Sequence, residues 1–107
     1  MKRLPKISES ISRNKCLTEF EKAVYKAILR IPRGEVRPYK WVARKIGKPG
    51  SARAVGNALN KNPYAPLVPC HRVIRSDGTI GGFAKGSAEK RRLLIAEGVD
   101  LRARPLL

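Results

Sequence analysis

Cys70 and His71 stand side by side in the segment Pro69-Cys70-His71-Arg72, and His71 is the one histidine of the chain. A thiol becomes a strong nucleophile when a nearby base or a positive field favours the thiolate, and this segment offers an imidazole and a guanidinium together. A plainer reading stands beside that one, with Cys70 a small buried hydrophobe and His71 a satisfied core histidine. Side chains adjacent on an extended segment point to opposite faces, so adjacency alone does not establish a Cys–His contact. The other cysteine, Cys16, lies in a very different setting, and the pair shows no Cys-x-x-Cys or metal-ligand spacing. One histidine and two cysteines cannot build a structural zinc site, so neither a metal nor a cofactor is expected. A reducing compartment fits this cysteine usage.

The elements that must position this segment can be read around it. Residues 1–16 are polar and basic without a sustained period, which predicts a tail or a loosely docked arm ahead of one domain over 17–107. Thr18 with Glu21 forms a capping-box pattern, and Phe20, Val24, Ala27, Ile28 and Ile31 follow at helical spacing, predicting a helix over about 18–30. Pro38 fits the first turn of a second helix, with Val42 and Ile46 inward and Trp41 beside them. Gly47, Pro49 and Gly50 break the chain before Ser51 caps a third helix, Ser-Ala-Arg-Ala-Val-Gly-Asn-Ala-Leu-Asn-Lys-Asn. Two short helices across a glycine-containing turn outline a helix-turn-helix, although helix pairs also occur as plain packing units. Val73-Ile74, the turn Ser76-Asp77-Gly78 and Thr79-Ile80 suggest a short hairpin. A last helix begins near Ser87, turns Leu93 and Leu94 inward, and stops at Glu97-Gly98. The expected fold is mainly α with a short β-hairpin, a winged helix-turn-helix-like DNA-binding domain.

Charge narrows the partner. Lys and Arg number 24 against 8 Asp and Glu, a formal net charge of +16. Such an excess favours polyanions, nucleic acid above all. A membrane surface fits less well, because no continuous basic helix carries a broad apolar face. No apolar run approaches the roughly 20 residues of a membrane span, and no signal peptide is visible, so a cytoplasmic (nucleoid) or nuclear location is expected. Residue types and spacing go this far: a basic helix-turn-helix protein with a candidate reactive cysteine.

The string Pro69-Cys70-His71-Arg72-Val73-Ile74 resembles the active-site signature of the O6-alkylguanine-DNA alkyltransferases. Ile31-Pro32-Arg33-Gly34-Glu35-Val36, Arg53-Ala54-Val55-Gly56, Asn62-Pro63, Gly81-Gly82-Phe83, and Leu93-Leu94 with Glu97-Gly98 are similar to that family's other landmarks, in order, over roughly residues 18–98. The resemblance implies a single-turnover transfer in which Cys70 takes an alkyl group from O6 of guanine and keeps it. His71 would accept the thiol proton through a water, with Glu97 orienting the imidazole, in the division of labour of a hydrolase triad. Asn62 would hold the turn bearing the cysteine, and Tyr39 would assist the departing guanine. The partner implied is double-stranded DNA with alkylated bases, bound through the minor groove by a monomer. Its lesion would be rotated out of the stack, with Arg53 filling the vacated place. Ser51, Ala52, Ala54, Gly56, Asn57 and Arg72 would complete the DNA-facing surface. Helix propensity alone accounts for the alanines equally well. Val68, Val73, Phe83, Ala84 and Lys85 would line the guanine pocket.

The chain also departs from the family pattern. The amino-terminal domain of many members, and any zinc site there, is expected to be absent. Phe83 and Ala84 stand where a tyrosine and a serine are common, removing two hydroxyls worth about 1 kcal/mol each, and Lys85 replaces a glycine. Three alternatives therefore stay open: an alkyltransferase-like lesion binder, a glycosylase-type enzyme on the same scaffold, and a plain helix-turn-helix regulator. Lesion binders of that kind commonly carry tryptophan in place of the cysteine, which this chain retains.

Overall fold

The computed structural model describes residues 7–80 and 87–101. Helix α2 (Glu19–Ile28) starts at the expected capping box: the Glu21 N–H donates to Thr18 Oγ1 at 3.0 Å, and the Thr18 N–H donates to Glu21 Oε1 at 2.9 Å. Glu19 and Glu21 in its first turn and Lys26 in its last oppose the helix dipole. Its inner face, Val24, Tyr25, Ala27 and Ile28, is the middle of the hydrophobic core. The expected tail is ordered in part. Ile7–Arg13 forms helix α1, and Ile11 is fully buried against α2. Ile7 and Ile11 lie one turn apart on one face, which gives this short helix its own apolar stripe.

Strand β1 (Arg37–Pro38) leads into α3 (Tyr39–Lys45), and α4 (Ala52–Asn60) follows across the turn. Helix α3 ends in a Schellman motif, with the Lys48 N–H on Ala43 O at 2.9 Å and Gly47 at φ +76°, where a side chain would be strained. Ser51 occupies the N-cap position of α4 without capping it; its hydroxyl instead donates to Lys48 O at 2.7 Å, tying the inter-helix turn. Val55, Ala58 and Leu59 of α4 are buried, while Arg53, Ala54 and Asn57 face outward.

The expected hairpin is corrected. Strand β2 (Val73–Ile74) pairs in parallel with β1, in register Arg37↔Val73 and Pro38↔Ile74. Val73 and Ile74 are both buried, so this strand lies inside the molecule and takes its partner from the segment ahead of α3. The turn after it does form, with the Arg75 N–H on Thr79 O and the Gly78 N–H on Arg75 O, both at 2.9 Å. Helix α5 (Ser87–Ala96) closes the fold, with Leu94 fully buried and Leu93 half-buried. Among the described residues no helix is long and apolar enough to cross a membrane.

The core carries one testable bond. The Tyr25 hydroxyl donates to Ala58 O at 2.6 Å, joining α2 to α4, and burial raises its phenol to about 12. Tyr25→Phe is expected to cost about 1 kcal/mol, lowering Tm by roughly 5 °C. A thermal melt unchanged from wild type would show that this bond adds nothing to the α2–α4 contact.

Candidate active site

The backbone after α4 is folded by one side chain. Asn62 Nδ2 donates to Val68 O at 2.8 Å, and Asn62 Oδ1 accepts the Tyr64 N–H at 2.8 Å. This closes the chain into a loop that delivers Cys70, the holding role expected of Asn62. Cys70, His71 and Arg72 then form a single 3-10 turn rather than an extended segment, with the Cys70 N–H on Val68 O at 2.8 Å. Val68 and Val73 are fully buried and pack in the same core cluster as Cys70. With no exposed surface they line no open cleft, which corrects the expectation that they line a pocket.

Cys70 is 4% exposed and His71 2%. His71 Nε2 lies 3.0 Å from Glu97 Oε2, across 26 residues of sequence. An ionised carboxylate only accepts, so the network assigns a proton to Nε2. Nδ1 is buried and finds no hydrogen-bond partner among the described residues. The imidazole is thereby oriented at one nitrogen and available at the other.

Arg72, expected on the DNA-facing surface, turns inward instead. Its Nε and Nη2 donate to the two Glu97 oxygens at 2.9 and 2.8 Å, and its Nη1 donates to Ile31 O at 2.8 Å. The side chain is 16% exposed and that of Glu97 8%, so the fork is committed to this carboxylate. The Arg72 hydrogen bonds, with His71 adding to them against the opposing effect of burial, hold the Glu97 carboxyl down at about 2. Glu97 itself sits at the end of α5, where the Val99 N–H bonds Leu94 O and Gly98 takes φ +83° in a second Schellman motif. The Ile31–Gly34 segment closes over this end. Arg33 Nη2 donates to Ala96 O at 3.2 Å, and a Cβ on Gly34 (φ +88°) would come within 3.2 Å of Glu97 O.

A second group of polar atoms converges from α3 and α5. Lys90 is 1% exposed, donates to the Tyr39 hydroxyl at 3.4 Å, and places Nζ 5.6 Å from that ring's centroid. Burial pulls the Lys90 ammonium down to about 8, while the negative charge available to Cys70 acts in the opposite direction. Burial raises the Tyr39 phenol above its ordinary value, opposed by the charge of Arg75. Sequence reasoning missed Lys90. The signal was its i, i+4 spacing to Leu94, which puts a lysine on the buried face of α5.

Tyr39 opens onto a cleft of about 500 Å³, lined by Tyr39, Ala52, Arg53, Gly56 and Arg75. Gly56 keeps α4 close to the aromatic wall, since a Cβ there would lie 3.8 Å from Tyr39 Cε1. Of the expected DNA-facing residues, Ala52, Arg53 and Gly56 thus share one surface with Tyr39. Ala54 and Asn57 line a separate shallow groove with Thr18, Phe20 and Lys61. Phe83, Ala84 and Lys85 lie outside the described residues.

Residues 19–99 match the family described as 6-O-methylguanine DNA methyltransferase, DNA binding domain. The chain belongs to this family. A methylated-DNA–protein-cysteine methyltransferase of Methanosarcina barkeri is 53% identical over 85 residues, covering 79% of this chain and 54% of that relative. The crystal structure of Mycobacterium tuberculosis OGT in complex with DNA superimposes with a TM-score of 0.75 at 50% identity, over 77% of this chain and 50% of that one. Schizosaccharomyces pombe Atl1, solved in complex with damaged DNA containing O6-carboxymethylguanine, gives a TM-score of 0.71 at 39% identity, over 78% of this chain and 80% of that one. The chain therefore spans about half the length of the methyltransferases it matches, while the same stretch makes up most of Atl1. The helix-turn-helix and the Cys70 turn both fall inside the matched span.

Proposed function

We propose that this protein repairs alkylated DNA by moving the alkyl group from O6 of an everted guanine to Cys70, once per molecule. The observation that carries this reading is the Cys70 turn with its Glu97-oriented His71, within electrostatic reach of Tyr39 and Lys90, the former lining an arginine-rimmed cleft. Helix α4 would enter the minor groove of duplex DNA, where Ala52 and Gly56 permit close approach and Arg53 takes the place of the rotated base. The Cys70 proton passes through a water to His71 Nδ1, and Glu97 balances the imidazolium. The thiolate attacks the alkyl carbon, the S–C bond forms as C–O6 breaks, and the bonding pair leaves with the guanine. Tyr39, backed by the Lys90 ammonium, donates a proton to the leaving base, and the imidazolium then gives its proton up through solvent to restore the phenol, so that overall the thiol loses one proton and guanine gains one. The thioether is not hydrolysed. No cofactor or metal takes part, and a monomer suffices, working where the cell keeps its DNA, in the nucleoid or the nucleus.

A second reading is lesion binding without transfer, favoured by the match to most of Atl1. Intact-mass analysis after mixing equimolar protein and O6-methylguanine duplex separates the two. One methyl group on the Cys70 peptide is the expected result. Tight binding with an unmodified Cys70 after long incubation would leave the lesion-binding reading standing, and abasic sites in the DNA would point to a glycosylase.

A further inference from the structure

Arg75 takes part in neither proton path, yet it stands at the rim of the same cleft, together with Arg53 of α4. We infer that Arg75 grips a backbone phosphate of the everted nucleotide, from the rim position it shares with Arg53. This rests on the proposed transfer reaction and adds the residue that holds its substrate in place.

A rotated base can enter the cleft, but its sugar and phosphates cannot follow, because the strand continues on both sides. The phosphates stay at the rim. Arg53 is committed to the gap in the base stack, which leaves Arg75 as the other guanidinium there. Among the described residues Arg75 is in no salt bridge, whereas Arg37, Arg72 and Arg92 each hold a glutamate. Its backbone is fixed on both sides, N–H to Thr79 O and carbonyl from the Gly78 N–H, directly after a strand buried on both faces. The carboxylate of the same turn, Asp77, takes the Thr79 N–H at 2.9 Å and hydroxyl at 2.7 Å on Oδ1; these bonds foremost, with the Arg75 charge adding to them, hold it below its ordinary value, and no salt bridge to Arg75 forms. An exposed planar donor on a rigid mount, in no salt bridge, suits a phosphate diester. Arg75 also shares the cleft with Tyr39, whose phenol burial raises and the Arg75 charge draws back down.

The contact forms only when a nucleotide is out of the stack, and that sets the test. The second-order rate of methyl transfer from O6-methylguanine duplex is measured against salt concentration for wild type and Arg75→Gln, beside equilibrium binding to undamaged duplex. Arg75→Gln is expected to slow transfer about tenfold and to reduce the steepness of the salt dependence by about one unit, with a clearly smaller loss on undamaged DNA. Arg75→Lys should keep the salt dependence while losing part of the rate, and a thermal melt of each variant reports on folding. Transfer at the wild-type rate and salt dependence in a folded Arg75→Gln protein would overturn the inference, as would equal losses on damaged and undamaged duplex. If the wild type itself takes up no methyl group, the transfer reading fails first, so the two failures are told apart.

Discussion

Cys70→Ser is expected to take up no methyl group from O6-methylguanine duplex, however long the incubation, while still binding the duplex near wild-type strength. Serine is close to cysteine in size, so the buried 3-10 turn and the hydrogen bond from residue 70 to Val68 O persist. What is lost is the sulfur: an alcohol at this position is far harder to ionise and a weaker nucleophile toward a saturated carbon. Since Arg53, Ala52 and Gly56 sit on α4, outside the Cys70 turn, affinity for DNA has no reason to follow the chemistry. Mass analysis and a binding titration on the same preparation give both readouts. Methyl uptake elsewhere in the variant would remove Cys70 from the reaction. Loss of binding along with transfer would instead make the residue structural.

Arg72→Ala is expected to be the most damaging single change to stability. It strips the Glu97 carboxylate of two hydrogen bonds and the Ile31 carbonyl of one, all in a nearly closed site. Breaking such a pair by removing one partner costs about 3–5 kcal/mol, enough to lower Tm by more than roughly 10 °C. Acid melts supply an independent check with a defined sign. The Glu97 carboxyl is held at about 2 in the folded protein against 4.5 ordinarily. Its contribution is therefore fully present above about pH 4.5 and is lost as pH falls through that value toward 2. Wild type should lose stability across this window, and Arg72→Ala should show a much shallower acid limb. A variant melting within a degree or two of wild type, with the same acid limb, would mean that the fork adds nothing to the fold.

Local grammar was legible along the chain, and long-range partners were not. Thr18 and Glu21 announce α2 because both halves of a capping box lie within one turn. Gly47 and Gly98 mark helix ends because a Schellman motif needs a residue at positive φ. The Glu97–His71 pair and the hold of Asn62 on its loop entered through resemblance to a known signature, since nothing in the spacing of residues 26 apart reveals a contact. Arg72 was misplaced for a physical reason. An arginine in a chain of net charge +16 reads as surface, and only the tertiary fold shows that a carboxylate waits for it beneath Ile31. The hairpin expectation failed in the same way. Two-residue strands have no period to read, and Val73 found Arg37 rather than its sequence neighbours. Ile7 and Ile11 carried a helical stripe, too short to stand out in a polar segment.

The packing around Cys70 also bears on the fate of the spent protein. Cys70 belongs to the same apolar cluster as Val68, Val73 and the inner faces of the helices. Under the proposed reaction the acquired methyl adds volume beside a sulfur that is only 4% exposed, and crowding of that kind typically costs about 1–3 kcal/mol. Completing the repair would then loosen the molecule that performed it, making the used form easier to unfold and clear from the DNA than the fresh one.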